Sequence, residues 1–133
     1  MNIYKCKNCC ETVIYGKSKN NIYCGNKCQK EYEYKDYIEK WLDGKNTGTR
    51  GKNYQLSKHV IKYMRTTYGN ACQHCGWEKY HPVDLNPLTV FDHIDGNAAN
   101  SSITNLRILC PNCHSMTPTY GRRNKVSARK NRY

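Results

Sequence analysis

Eight of the nine cysteines stand in close pairs: Cys6 with Cys9, Cys24 with Cys28, Cys72 with Cys75, and Cys110 with Cys113. This spacing constrains the fold more than any hydrophobic pattern in the chain. A pair separated by two or three residues offers two thiolates to one ion, and two such pairs close a tetrahedral cage suited to zinc. The rest of the composition makes such staples necessary. Only 38% of the 133 residues are apolar, and that share includes twelve Tyr but a single Phe. A core so thin stabilises a small domain poorly on its own. The odd cysteine count argues against a closed disulfide framework. The start of the chain, MNIYKCKNCC, lacks a signal-peptide core. Reduced thiols are therefore expected, as in the cytoplasm of a bacterial or phage-infected host cell. No hydrophobic run is long enough to span a membrane, so no membrane partner is expected.

The first two pairs are separated by fourteen residues. The insert ETVIYGKSKNNIY reads as two strand-like runs around a Gly-Lys-Ser-Lys-Asn-Asn turn. Asn26, with Gln29 three residues later, has the form of a helix N-cap. Tyr34, Tyr37, Ile38, Trp41 and Leu42 then repeat at helical spacing. Hairpin followed by a helix carrying the last ligand resembles a treble-clef zinc finger, expected over residues 1–43, with Cys6, Cys9, Cys24 and Cys28 on one zinc. Cys10 could replace Cys9, but the two-residue gap favours Cys9.

Residues 44–53, within DGKNTGTRGKN, hold three Gly and no apolar side chain, and read as a linker. From Tyr54 the pattern is helical again, with Leu56, Val60, Tyr63, Met64 and Thr67 on one face and Gly69 as the stop. Cys72 and Cys75 follow. Their expected partners are Cys110 and Cys113, thirty-four residues later, on a second zinc. Trp77 is expected to cover this site.

The stretch VFDHIDGNAANSSITNLRILCPNCH, residues 90–114, carries the chemistry. Two short β-type runs, Leu88 to Phe91 and Leu106 to Leu109, flank a polar loop and read as a hairpin. The hairpin brings the end of its first strand near the element after its second. Asp92 and His114 can then meet around one ion, with His93 beside them. A carboxylate oxygen and an imidazole suit magnesium or manganese. His93 points elsewhere on the strand and is free to take a proton from water at neutral pH.

Asp92-His93, Asn105-Leu106 and Cys110-Pro111-Asn112-Cys113-His114, preceded by Cys72-x-x-Cys75, resemble the HNH endonuclease family. The likeness covers roughly half the chain, from Tyr54 to Asn124. It implies an α+β protein: a ββα-metal nuclease domain over residues 54–124, appended to the finger, of phage or homing type. It implies a metal-dependent hydrolysis of DNA phosphodiesters in which His93 is the general base. Asn105 would be structural, its amide holding the loop and so orienting His93. Two other readings remain open at this stage. Asp92 could cap the loop, and His114 could replace a thiol in the second zinc cage. Pro118 lies four residues after His114, so the helix bearing His114 is either short or restarts at Thr117-Pro118. A restart would let Asn124 swing toward the ion.

The formal charge is +12. Two four-thiolate zinc sites would leave about +8. Seven Lys or Arg follow Asp95, the last acidic residue. Double-stranded DNA is the expected partner, with no small-molecule substrate and the oligomeric state open. Arg122, Arg123, Lys125, Arg129, Lys130 and Arg132 are the expected phosphate contacts, the last four in a basic tail at 125–133. A non-catalytic zinc-containing nucleic-acid-binding protein would explain the cysteines and the charge equally well. It would not explain Asp92-His93 beside His114.

Overall fold

A computed structural model describes residues 2–15 and 22–129. The chain divides into two compact units, residues 1–40 and 41–133. In the first, β1 (Asn2–Lys5) and β2 (Thr12–Tyr15) pair antiparallel, with Ile3 opposite Ile14. The turn expected at residues 16–21 lies outside the described residues. Helix α1 (Asn26–Leu42) begins at the expected position. Its exposed face mixes both signs of charge, with an i,i+4 bridge of 2.9 Å from Lys40 to Asp36. Among the described residues of this unit, Cys6, Tyr23 and Ile38 are the well-buried ones. A hairpin and one helix enclose little apolar surface, and of the clustered thiols only Cys6 is buried, while Cys9 and Cys24 are exposed.

The second unit opens on Trp41. This side chain is 3% exposed, and its Nε1 donates to the Ser101 carbonyl at 2.8 Å. Its ring meets Tyr63 edge-on, with centroids 5.7 Å apart. Gly48 packs beneath it at φ +70°, where an added Cβ would stand 2.5 Å from Trp41 Nε1. Only glycine tolerates both the close approach and that backbone conformation. The stretch read as a linker is therefore built into the fold. It carries β3 (Thr49–Arg50), paired with β4 (Gln55–Leu56).

Helix α2 (Lys58–Tyr68) starts four residues later than the helical pattern suggests. Ser57 is the cause: its Oγ accepts from Val60 N–H at 3.2 Å, a side-chain N-cap that ends β4 and starts the helix. Val60 and Met64 are fully buried, Tyr63 is half-buried, and Thr67 is exposed, contrary to its place on the expected face. Gly69 closes the helix at φ +83°, its N–H bonded to Arg65 O. Arg65 ties α2 to the next strand. Its guanidinium donates to Thr89 O at 2.7 Å and lies over the Phe91 ring.

β5 (Val90–His93) and β6 (Leu106–Leu109) form the expected hairpin. Its register pairs Phe91 with Ile108, Asp92 with Arg107 and His93 with Leu106. Ile108 is fully buried, with Leu106 and Leu109 beside it in the core. Helix α3 (Pro111–Ser115) is short. It stops at Met116, and Thr117 turns its hydroxyl back to His114 O at 2.9 Å. The chain does not restart a helix at Pro118; a 3₁₀ turn appears only at Gly121–Arg123. None of the described helices is long and apolar enough to cross a membrane.

Candidate active site and cysteine clusters

Each unit holds one cluster of four thiols. Cys6, Cys9, Cys24 and Cys28 lie with their sulfurs within 4.8 Å of one another, as do Cys72, Cys75, Cys110 and Cys113. Individual separations are 3.7 Å for Cys9–Cys24, 3.4 Å for Cys24–Cys28 and 3.7 Å for Cys75–Cys110. Four sulfurs at about 2.3 Å from a tetrahedral zinc stand about 3.8 Å apart, so both clusters could hold such an ion. Cys10 sits outside. At φ +64° it closes a turn by donating its N–H to Cys6 O, and it is exposed.

The acidities within each cluster diverge. Burial opposes ionisation of Cys6, but N–H groups of Cys9, Cys24 and Asn8 bring its pKa down to about 6. Cys24, hydrogen-bonded first to Cys28 and then to Cys9 and Cys6, is pushed up to about 12. Cys72 at about 6 and Cys113 at about 12 repeat this split. For Cys72, burial is outweighed by the amides of Cys75, Cys110 and His74. For Cys113 the thiol of Cys110 dominates. Four crowded thiols cannot all ionise without a cation to offset their repulsion, which is the donor chemistry a metal cage supplies.

The second cluster assembles through β6. Gln73 N–H donates to Ile108 O at 2.8 Å, and Gln73 Oε1 accepts from Ile108 N–H at 2.6 Å. The Cys72–Cys75 turn is thereby stitched to the strand that delivers Cys110. Trp77 packs against Cys72, Leu109, Cys110 and Cys113. Cys110 also caps α3, its sulfur accepting from Cys113 N–H at 3.3 Å. The helix that carries His114 therefore grows directly from the cluster. His114 is not one of the four clustered donors.

Instead, His114 faces β5. Its Nδ1 lies 3.3 Å from Asp92 Oδ1. This contact is not a hydrogen bond: His114 Nδ1 is the one buried side-chain polar atom without a hydrogen-bond partner among the described residues. Leaving such an atom unsatisfied costs about 1–3 kcal/mol. Two ligand atoms at right angles, each about 2.1 Å from one ion, would be about 3 Å apart. The orphaned nitrogen and the neighbouring carboxylate oxygen fit a shared hard divalent cation. Asp92 is 4% exposed, and its other oxygen accepts from Arg107 Nε at 2.6 Å. The ring of Tyr120 meets the His114 imidazole edge-on, with centroids 5.1 Å apart.

His93 ends β5 and lines the same cleft, of about 350 Å³, as Asp92 and His114. Its Nε2 lies 2.8 Å from Ser101 Oγ. Burial, then the positive charge of Arg129, lowers its pKa from the ordinary imidazole value; Asp92 and Asp95 act in the opposite sense. Asn105 locks the loop between the strands. Its Oδ1 accepts from Asp95 N–H at 3.0 Å, and its Nδ2 donates to Asp95 Oδ1 at 2.8 Å and Asn100 O at 2.6 Å. Burial raises the Asp95 pKa, but hydrogen bonds from Asn100, Asn97 N–H and Asn105 outweigh it and hold the carboxylate below its usual range. Asn124 reaches the cleft wall with both ends of its amide engaged, donating to Gly96 O at 2.7 Å and accepting from Val126 N–H at 3.0 Å.

Of the basic residues singled out in the sequence, Arg122, Arg123 and Lys125 are exposed just beyond the cleft-lining Tyr120. Arg129 lines the cleft, with Nε bonded to Asn53 O at 2.7 Å and Nη2 to Tyr54 O at 3.3 Å. Lys130 and Arg132 lie outside the described residues.

Arg107, Ser101 and Tyr120 contribute to the site without having been singled out. Arg107 was within reach of sequence reasoning: pairing Phe91 with Ile108 in an antiparallel hairpin places Arg107 opposite Asp92. Ser101 and Tyr120 sit in irregular segments, where no periodicity reports a neighbour.

Residues 72–117 match the family model described as HNH endonuclease. Over 77 residues the chain is 42% identical to the H-N-H endonuclease F-TflIV of Escherichia phage T5. That match covers 58% of this chain and 32% of the phage protein, so the chain spans about a third of its relative's length. No solved structure matches the chain. The matched segment contains Asp92, His93, Asn105, His114 and the whole second cysteine cluster. The chain therefore carries a domain of the HNH endonuclease family.

Proposed function

We propose that this protein is a metal-dependent DNA endonuclease of phage or homing type, working in the cytoplasm of a bacterial or phage-infected cell. The observation that carries the reading is the approach of His114 Nδ1, a buried atom with no hydrogen-bond partner among the described residues, to Asp92 Oδ1. A magnesium or manganese ion held by these two atoms would neutralise charge on the scissile phosphate and assist the leaving oxygen. Arg107 aligns the Asp92 carboxylate from behind. Neutral His93, in the same cleft, takes a proton from the attacking water. Arg129 supplies positive charge within the cleft, while Arg122, Arg123 and Lys125 bind flanking phosphates. Lys130 and Arg132 extend the same basic tail.

Asn105 is structural in this scheme: it fixes the loop that follows His93. The two cysteine clusters are zinc sites, and the second holds the ββα-metal unit together. The first makes the N-terminal unit a treble-clef-like finger that adds DNA contacts. The second unit, residues 41–133, carries fourteen Lys or Arg against five Asp or Glu, so most of the positive charge accompanies the cleft.

Zinc-loaded protein should nick or cut plasmid DNA when magnesium or manganese is added. His93→Ala and His114→Ala should each abolish cleavage while DNA binding persists. Tight DNA binding without cleavage under any divalent ion would replace this reading with a non-catalytic zinc-containing nucleic-acid-binding protein.

A further inference from the structure

Ser101 is 2% exposed, although it belongs to a polar loop. Three hydrogen bonds explain its burial. Trp41 Nε1 donates to its carbonyl at 2.8 Å. Its own hydroxyl donates to Ala98 O at 3.1 Å. Its Oγ lies 2.8 Å from His93 Nε2. A serine hydroxyl has one proton and two acceptor lone pairs. Ala98 O can only accept, and the hydroxyl satisfies it by directing that proton along the 3.1 Å bond. With the serine proton so placed, His93 Nε2 is the donor in the third bond. A neutral imidazole has one N–H, so Nδ1 is left with a lone pair. His93 Nδ1 has no hydrogen-bond partner among the described residues, yet it is not a buried unpartnered atom. Solvent therefore reaches it, and His93 lines the cleft.

We propose that Ser101 is a positioning residue that fixes His93 in its Nε2–H form and presents Nδ1 as the proton acceptor in the cleft. The inference deepens the nuclease reading and rests on it for its catalytic meaning. The orienting task is divided between two residues. Asn105 holds the loop backbone around Asp95 and Asn100, and Ser101 holds the ring. Ser101 is itself held by Trp41, which is seated on Gly48. The base is thus braced from the stretch that the sequence presents as a linker. A wrong tautomer would turn an N–H toward the water and remove the acceptor, with no change in metal or DNA binding.

The test uses full-length, zinc-loaded protein with ¹⁵N-labelled histidine, magnesium present, at about pH 8, where a free imidazole is neutral. Two-bond ¹⁵N–¹H correlations should show His93 protonated at Nε2 and bare at Nδ1. Ser101→Thr, which keeps the hydroxyl, should keep that pattern. Ser101→Ala should populate both tautomers and lower kcat about tenfold, the rate equivalent of one neutral hydrogen bond, with KM for DNA unchanged. An Nδ1–H tautomer in the wild type would overturn the proposal, whether or not the alanine variant folds. An unaltered tautomer in folded Ser101→Ala would do the same. The spectrum reads the ring without DNA cleavage, so an inactive protein with the Nε2–H tautomer would sink the nuclease reading and uphold the assignment of Ser101.

Discussion

Replacing Arg107 by Gln removes a guanidinium bonded to a nearly buried carboxylate. Asp92 is 4% exposed, and Arg107 Nε approaches it at 2.6 Å. With charge centres about 4 Å apart and an effective dielectric near 20, the attraction is about 4 kcal/mol. The Arg107 side chain is 34% exposed, so solvent screening cuts this by roughly half. Arg107→Gln should therefore destabilise the zinc-loaded, magnesium-free protein by about 2 kcal/mol in urea unfolding. Magnesium should then narrow the gap. The proposed ion at Asp92 and His114 would compensate the same carboxylate, and in the variant it would no longer compete with Arg107. By linkage, the variant should bind magnesium more tightly and be stabilised by it more than the wild type. The assay is a pair of urea curves for each protein, with and without saturating magnesium. A gap below about 0.5 kcal/mol without magnesium would refute the burial argument. A gap unchanged by magnesium would refute the shared ion at Asp92.

The lowered pKa of His93 fixes the sign of a pH effect. Below about 6.5, the unfolded chain binds a proton that the folded ring resists, so this group's contribution to stability is complete above that pH and is lost as pH falls through the folded pKa. The acid limb of the kcat profile should also lie below about 6.5, and Arg129→Gln should raise it; a wild-type limb above that value would contradict the assigned causes. With zinc in the second cluster, as proposed, a strong chelator should unfold the second unit, because that cluster joins β6, α3 and the Cys72–Cys75 turn. Loss of the near-ultraviolet signal of Trp77 would report it, and a chelated protein that kept this signal and its DNA affinity would contradict a structural role for the metal.

Local spacing made much of the architecture legible. Close cysteine pairs, a helix beginning at Asn26, and two β-type runs around a Gly- and Asn-rich loop are written over short windows, where the chain's own geometry decides. The stop of α2 at Gly69 was readable for the same reason. Its start was not. Leu56 continues a helical stripe in sequence, but the Ser57 cap and the pairing of β4 with β3 take precedence over periodicity. Residues 44–53 look like solvent-exposed linker because glycine is silent in a hydrophobic pattern, and only the approach of Gly48 to Trp41 reveals a packed backbone.

The sequence by itself determined which donor types are present and which of them lie close along the chain: thiols in pairs, and a carboxylate next to an imidazole. Tertiary structure decided which distant groups meet. The distance of 3.3 Å between Asp92 and His114 depends on the β5–β6 register and on a helix rooted in a cysteine cluster. The contact of Ser101 with His93 depends on a loop pinned by a tryptophan sixty residues away. Short-range backbone preferences cannot encode such contacts; they arise when hydrogen bonding and burial are satisfied across the whole unit at once.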